Sequence, residues 1–456
     1  MNRKLITYIK VVLLVAVVYG CAHTGAETAM QTAPLENGSV YEETLENGLR
    51  VFIIKDRNAP MAVFEIWYNA GSINEQVGKT GLSHVLEHMM FKGTPRYGNK
   101  VFSKIISKSG GIDNAGTSRD FAYYFQKLAP DRIRISIEME ADRMRNLIMD
   151  NGDFLSERDV VMEERRMRYE DDPQNLVFEE VLATAFKNHP YRWPVIGWME
   201  DLKNLTRDEL MDYYRTYYIP NNAFIVIAGN VDVEGVMEKI KTEFGPIQKG
   251  PEPRKLNIQE PVQRGEKRIY IKKEAELPYV ISAYKAPNVL DEDSYALDVL
   301  AGVLSGGKSG RIYRGLVDEK RIALSAGAGY SNFNKYPFLF YLEGTPLPGG
   351  KIEEVELALY EEVQKIKDEP PSEREVQKAK NQIEADFIMG QDSVYSQAMV
   401  LAQFEMLGGW RLKDKYIEGL RKVAPDDVQR VARKYLVDDQ RTVGTLIPVK
   451  KDESGK

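Results

Sequence analysis

The pattern of hydrophobic and polar positions predicts short strands separated by amphipathic helices. Two runs rich in β-branched and aromatic residues, 41–45 and 49–54, flank the turn Glu46-Asn47-Gly48, which is typical of a β-hairpin. Another apolar run, 62–68, predicts a third strand. Helical spacing then predominates over residues 80–93, 99–109, 129–149 and 156–170. A β-branched run at 223–228 predicts the last strand of this half.

Residues 246–265 carry four prolines and no helical period, which predicts a linker. Beyond it the same order of elements returns. The predicted elements of this second half are strands near 268–285, helices at 293–304 and 309–319, strands at 324–344, and helices from 351 onward.

One stretch shows this repetition directly. Residues 205–227 and residues 423–444 start 218 positions apart, and in each a capped helix runs to a tyrosine before a β-branched strand. Helix–turn–strand units are common, so coincidence is the alternative, but the matched spacing favours duplication. We therefore predict an α+β protein of two homologous domains, each a mostly antiparallel sheet packed with helices. The predicted segments are 1–21 (signal peptide), 22–39 (tether), 40–245 (first domain), 246–265 (linker) and 266–450 (second domain).

Composition restricts the possible chemistry. The 62 basic and 68 acidic side chains give a net charge of −6, which argues against a nucleic-acid partner bound through phosphates. The single cysteine excludes an internal disulfide framework and a cysteine-rich metal site. With four histidines in the chain, any histidine-ligated metal must draw on His23, His84, His88 and His189.

The N-terminus predicts export. A basic segment precedes Val11–Tyr19, an apolar run too short to span a bilayer, and this combination is typical of a secretory signal. The run ends at Cys21 in a context that resembles the lipobox of bacterial lipoproteins, although Tyr19 is unusual there. We expect a periplasmic protein of a Gram-negative bacterium, anchored to the membrane by a lipid on Cys21 through the polar tether. An ordinary signal peptide is the alternative.

The candidate chemistry lies in residues 81–97. His84 and His88 are four positions apart on a predicted helix, so both imidazoles project from one face and can share a Zn²⁺ ion. Glu87 lies close enough to act on a zinc-activated water, and together these residues form the H-x-x-E-H pattern. A surface pair of histidines with a glutamate is the less specific interpretation.

A catalytic zinc site needs a third protein ligand. His189 precedes a proline in a turn-like sequence, so we interpret it as structural. Ser156 and Asp159 suggest a capping box that starts a helix, with Arg158, Arg165 and Arg166 on its solvated face. In that helix Glu164 follows Val160 and Val161 at helical spacing, which favours it as the inward-facing ligand over the neighbouring Glu163.

These residues together resemble the pitrilysin/insulinase family of zinc metallopeptidases, over residues of about 40–450. The resemblance rests on His84-Val85-Leu86-Glu87-His88 followed 76 residues later by Glu164, and on the local sequences around 91–94, 114–117, 157–160 and 189–197. It implies that His84, His88 and Glu164 bind zinc, that Glu87 is the catalytic base and that Glu157 supports the site from behind. It also implies that Asn114 and Ala115 lie on an edge strand that pairs with the peptide substrate.

The second half lacks the metal motif. By resemblance, Arg311 would help to hold substrate, but the tyrosine that accompanies this arginine in the family is replaced by Leu324. We therefore expect the chain to be the metal-bearing subunit of a heterodimer whose sister subunit carries the arginine–tyrosine pair, with a homodimer as the alternative. The expected function is a zinc endopeptidase acting on peptides. A non-catalytic scaffold or partner-binding subunit is the alternative.

Overall fold

The computed structural model describes residues 39–254 and 256–450. The predicted signal segment, Cys21 and nearly all of the predicted tether lie outside these ranges. Within them the chain forms two α+β halves, each a sheet covered by helices, which confirms the predicted fold class. No helix in the described ranges combines the length and apolar character needed to cross a membrane.

The first half contributes six strands and eight α-helices within the described ranges. The strands are β1 (Val40–Thr44), β2 (Arg50–Lys55), β3 (Ala62–Tyr68), β4 (Ile112–Thr117), β5 (Ala122–Leu128) and β6 (Ala223–Gly229). The helices are α1 (Leu82–Met89), α2 (Val101–Lys108), α3 (Ile133–Asn146), α4 (Asn151–Arg165), α5 (Pro173–Ala185), α6 (Met199–Asn204), α7 (Arg207–Tyr217) and α8 (Val233–Phe244).

The described part of the second half contributes five strands and six α-helices. The strands are β7 (Lys267–Glu274), β8 (Tyr279–Ala286), β9 (Ala323–Tyr330), β10 (Phe338–Pro346) and β11 (Arg441–Val449). The helices are α9 (Asp293–Ser305), α10 (Ile352–Asp368), α11 (Glu373–Met389), α12 (Val394–Leu407), α13 (Leu412–Lys422) and α14 (Pro425–Tyr435).

The two sheets share one topology, apart from β1, which adds a sixth strand to the first sheet. The first has the order β1-β2-β6-β3-β5-β4, and the second has the order β7-β11-β8-β10-β9. In each sheet one pair is parallel, β2 with β6 and β7 with β11, while the other pairs are antiparallel. The strand β4 lies at one edge of the first sheet, where its outer side is open to a further strand.

The repeat predicted from the sequence is visible in the elements. Helices α7 and α14 begin at Arg207 and Pro425, and strands β6 and β11 begin at Ala223 and Arg441, so both pairs are offset by 218 residues. In each half the helix and strand are joined by a short 3₁₀ turn. The matched spacing therefore reflects matched structure.

Each half also covers the outer face of the other half's sheet. Helix α12 of the second half packs Ala398, Leu401 and Ala402 against the first sheet, around Trp67. Helix α5 of the first half packs against the second sheet, where Val181 lies beside the strands. The first residues of α5 and α12 lie 221 positions apart, close to the repeat spacing, so equivalent helices are exchanged between the halves. Burial of these apolar faces joins the two domains.

Two helix predictions need correction. The helix that carries Glu164 begins at Asn151, not at Ser156, because the carboxylate of Asp150 caps it by accepting from the amides of Gly152 and Asp153. Its α-helical part ends at Arg165, after which Arg166–Glu170 forms a π-helical turn. The predicted helix at 309–319 is likewise a 3₁₀ turn followed by a π-helix, Tyr313–Glu319.

Candidate metal centre

The centre is built on helix α1. This helix begins after Gly81, whose φ of +94° is a conformation that glycine adopts without the cost a side chain would impose. The buried carboxylate of Glu75 accepts hydrogen bonds of 2.8 Å from the amides of Gly81 and Ser83, and so replaces an ordinary N-cap side chain. The apolar face of α1 packs into the first core, which fixes the direction in which His84 and His88 project.

Helix α4 packs against α1 and brings Glu164 to the two histidines. A carboxylate oxygen of Glu164 lies 3.7 Å from Nε2 of His84 and 3.6 Å from Nε2 of His88. One ligand atom from each of the three residues lies within 4.8 Å of the others, so the set could hold a metal ion. With bonds of about 2.0–2.1 Å, tetrahedral zinc would place its ligand atoms about 3.3–3.4 Å apart. The donor set therefore fits zinc in both chemistry and spacing.

The protonation states also suit a cation. Burial, together with neighbouring His88, lowers the pKa of His84 to about 4, so its imidazole is neutral near pH 7. The imidazole of His88 lowers the pKa of Glu164 to about 2 and keeps that carboxylate ionised. Burial lowers the pKa of His88, but Glu164 and Glu157 outweigh burial and raise it above its ordinary value. Metal binding therefore competes with a proton at His88.

A chain of contacts supports His88 from behind. Its Nδ1 lies 3.1 Å from an oxygen of Glu157, and the other oxygen of Glu157 pairs with the ammonium of Lys92 at 2.5 Å. Burial would raise the pKa of Glu157, but Lys92 and His88 hold it below its ordinary value. An ionised Glu157 orients the ring so that Nε2 faces the other ligands. By contrast, Nδ1 of His84 is buried without a hydrogen-bond partner among the described residues, so packing orients that ring.

Glu87 lies between the two histidines in sequence, and the residue is partly buried. The hydroxyl of Thr117, the last residue of β4, donates a 2.5 Å hydrogen bond to Oε2 of Glu87. Burial raises the pKa of Glu87, and the hydrogen bond from Thr117 opposes that effect. A carboxylate with a raised pKa beside a metal-competent set is suited to proton transfer.

Asn114 and Ala115 lie on the edge strand β4, as the family resemblance implied. Because Thr117 of the same strand contacts Glu87, the strand runs beside the metal centre. The side-chain oxygen of Asn114 accepts a 2.9 Å hydrogen bond from the amide of Ala115. This bond satisfies a main-chain donor on an exposed edge.

Comparison with known proteins places this site in a family. Residues 50–197 match the family described as "Insulinase (Peptidase family M16)", and residues 204–383 match "Peptidase M16 inactive domain". The "Zinc protease PqqE" of Helicobacter pylori is 32% identical over 410 residues, which are 89% of this chain and 92% of that protein. This chain belongs to the M16 (insulinase) family of peptidases. Its metal-competent residues all lie in the part that matches the first of these descriptions.

Two further comparisons cover both halves of the chain. The "Probable mitochondrial-processing peptidase subunit beta" of Arabidopsis thaliana is 28% identical over 419 residues, 89% of this chain and 78% of that protein. A crystal structure described as a protease from Helicobacter pylori has a TM-score of 0.87 at 31% identity and covers 91% of this chain and 100% of its own. The family membership therefore extends over both halves.

Several predicted residues lie elsewhere. Glu163, the alternative ligand, points to solvent and pairs with Arg166 at 2.7 Å. His189 has the structural role predicted for it, since its Nδ1 accepts from the amide of Tyr191 in a turn. Arg311 makes a two-bond ion pair with Glu375 in the second half, at 2.7 and 2.9 Å. No contact between Arg311 and the metal-competent residues is seen in the described ranges.

The prediction for the outer face of α4 was partly wrong. Arg165 is buried, 6% exposed, and forms two hydrogen bonds with Glu179, whereas Val160 is 47% exposed. Only Val161 of the two valines faces the core. The sequence therefore placed Glu164 correctly on this helix and facing inward, but it assigned Arg165 and Val160 to the wrong faces.

Four residues of this site had no role predicted from the sequence: Glu75, Lys92, Thr117 and Arg168. Arg168 lies on the π-helical turn and pairs with the second oxygen of Glu164 at 2.6 Å. Its spacing of four residues from Glu164 was a usable signal, because such pairs meet on a helix. Contacts that join distant segments, such as Thr117 with Glu87, leave no local pattern in the sequence.

Proposed function

We propose that this chain is a zinc-dependent endopeptidase that hydrolyses peptides. The observation that carries the proposal is the donor set of His84, His88 and Glu164, within 4.8 Å, beside the partly buried Glu87. The names of its relatives, which are zinc proteases, support the same conclusion.

The three ligand residues would hold the metal ion, with His88 oriented by Glu157. When bound, zinc would polarise the scissile carbonyl and acidify the attacking water. Glu87 would accept a proton from that water at Oε1, since Oε2 is occupied by the hydroxyl of Thr117. The same carboxylic acid would then deliver the proton to the leaving amine as the peptide bond breaks.

We further propose that peptides bind as an added strand on β4. An extended peptide would pair with the open edge through main-chain hydrogen bonds, which tolerate varied side chains. The amide of Ala115 would exchange its bond to Asn114 for a bond to the peptide. Arg311 would contribute only if substrate or a partner displaced Glu375 from its guanidinium.

The proposed partner is a sister subunit that carries the arginine–tyrosine pair. The exposed Leu324 on β9, 55% exposed, supplies no hydroxyl at the position where the family often has tyrosine. Alone, the chain should bind zinc and cleave peptides poorly, and addition of the sister chain should restore cleavage. Full activity of a homodimer of this chain would reject this part of the proposal.

We also propose a periplasmic location with a lipid on Cys21. The similarity of the fold to a structure described as the periplasmic protease PqqL from Escherichia coli, with a TM-score of 0.73 at 15% identity, concerns the fold alone. The basic, apolar and cysteine-terminated N-terminus is what supports export and lipidation. Labelling with a fatty acid analogue, lost in Cys21→Ser, is the test.

The catalytic proposal is tested by Glu87→Gln. This change keeps the side-chain size, so it should abolish peptide cleavage while about one zinc per chain remains bound. Glu164→Gln should lose zinc as well as activity, whereas the neighbouring Glu163→Gln should lose neither, since Glu163 faces solvent. Full activity of Glu87→Gln would reject Glu87 as the catalytic base. Less than about one zinc per chain in the unaltered protein after zinc repletion would support the non-catalytic scaffold.

A further inference from the structure

We infer that Thr117 is a positioning residue that couples the peptide-binding edge strand to the catalytic base, an inference that rests on the proposed function. Its hydroxyl donates to Oε2 of Glu87 at 2.5 Å, and its backbone ends the strand β4. One residue therefore belongs both to the proposed peptide platform and to the surroundings of the base.

The strand geometry directs this side chain to α1. Side chains two positions apart share one face of a strand, so Asp113, Ala115 and Thr117 point to the same side of β4. Ala115 packs against the first core, which contains the apolar residues of α1, and Asp113 accepts a 2.6 Å hydrogen bond from Ser103 of α2. That face is therefore the helix-covered face, and Thr117 meets Glu87 there.

The hydrogen bond selects one orientation of the glutamate. A glutamate side chain has several rotatable bonds, and a partly buried carboxylate that lacks a partner samples several positions. With Oε2 held by Thr117, Oε1 of Glu87 accepts no hydrogen bond from any residue in the described ranges. The free oxygen is thus presented in a fixed direction, which is the arrangement a general base needs.

The link also ties peptide docking to the base. Thr117 pairs with Ala122 of β5 on its inner side, so its position is set by the sheet. A peptide added along the outer edge of β4 would be held by the same strand that holds Oε2 of Glu87. The backbone of β4 therefore positions both the scissile bond of the peptide and the carboxylate of Glu87.

The test compares Thr117→Val, which removes the hydroxyl at nearly constant shape, with Thr117→Ser, which keeps it. In the full chain, with its sister subunit if cleavage requires one, Thr117→Val should lower kcat between about 10- and 100-fold with KM within about twofold. Zinc content should stay at that of the unaltered chain, and Thr117→Ser should recover most of the lost kcat. Ser103→Ala is the matched control, because it removes another hydroxyl contact to β4 and should leave kcat unchanged.

Several results would overturn this inference. These are a kcat for Thr117→Val within about twofold of the unaltered chain, a change confined to KM, a loss of zinc, or no recovery in Thr117→Ser. A crystal structure of Thr117→Val decides the matter without activity: a displaced or multiply oriented Glu87 carboxylate supports it, and an unmoved carboxylate rejects it. Absence of cleavage by the unaltered zinc-loaded chain in both states of assembly would instead count against the proposed function.

Discussion

The imidazole Nδ1 of His88 lies 3.1 Å from a carboxylate oxygen of Glu157, one helix away. The second oxygen of Glu157 is taken by Lys92, so the carboxylate is held at both ends. A neutral imidazole that donates from Nδ1 to the ionised Glu157 keeps its lone pair on Nε2, on the side of His84 and Glu164. The orientation of His88 is thus set by Glu157 and Lys92, which lie on the side of the ring away from His84 and Glu164.

Glu157→Gln should weaken zinc binding about 10- to 100-fold, because a neutral amide orients His88 less firmly and leaves Lys92 unpaired. The measurement is zinc affinity by competition with a chelator of known strength. Asp159→Asn, an exposed change on the same helix, is the control and should leave the affinity unchanged. An affinity of Glu157→Gln equal to that of the control would contradict the assigned role.

Arg168→Ala should weaken zinc binding by less than about tenfold. The guanidinium contacts the second oxygen of Glu164 at 2.6 Å, but its side chain is 64% exposed, so solvent screens most of the interaction. The same chelator competition checks this, at low and high salt. A loss of zinc affinity as large as that of Glu157→Gln, or one that does not depend on salt, would show that Arg168 acts through more than a solvent-screened ion pair with Glu164.

The junction between the first sheet and α12 should respond to pH through Glu65. This carboxyl is fully buried beside Trp67, whose indole N–H donates to it at 2.9 Å, and Lys127 and the phenols of Tyr123 and Tyr395 surround it. Burial raises the pKa of Glu65 to about 8, against an ordinary value of 4.5. The folded protein therefore keeps a proton that the unfolded chain releases, and stability falls as the pH rises through this window.

Glu65→Gln should remove that loss. The quantity to compare is the free energy of unfolding of the variant minus that of the unaltered chain. We expect this difference to be at least about 1 kcal/mol larger at pH 9 than at pH 5. Urea denaturation at the two pH values measures this difference, and other buried carboxyl groups cancel in the comparison. If the difference in free energy of unfolding between Glu65→Gln and the unaltered chain does not change with pH, Glu65 is already ionised in the folded state.

Gly444→Ala should loosen the exchange of helices between the halves. A Cβ atom at this position of β11 would come within 2.4 Å of Val181 and 2.9 Å of Val177, both on α5. Since a crowded core side chain costs roughly 1–3 kcal/mol, we expect a lower thermal midpoint. Gly307 and Gly349 have positive φ, a conformation in which alanine is strained whatever the space, so they are unsuitable controls. Gly98→Ala, where the nearest heavy atom is 4.0 Å away, is the suitable one and should leave the midpoint nearly unchanged.

The sequence predicted much of the local structure, because local structure follows from local patterns. The spacing of His84 and His88 on one helix, the hairpin around Asn47-Gly48, and the repeat at 218 residues all depend on neighbours along the chain. Errors appeared where a distant contact overrode the pattern. Arg165 looked like a surface residue and is buried, because Glu179 on the next helix neutralises it.

What the sequence by itself determined is therefore the two-domain α+β plan, the single helix with H-x-x-E-H, and the candidate third ligand. Only the tertiary structure decided that Arg168 pairs with Glu164, that Thr117 holds Glu87, and that α5 and α12 are exchanged between the halves. The physical reason is that side-chain periodicity fixes which face of an element is apolar, whereas the partner of that face is chosen by packing among segments far apart in the chain.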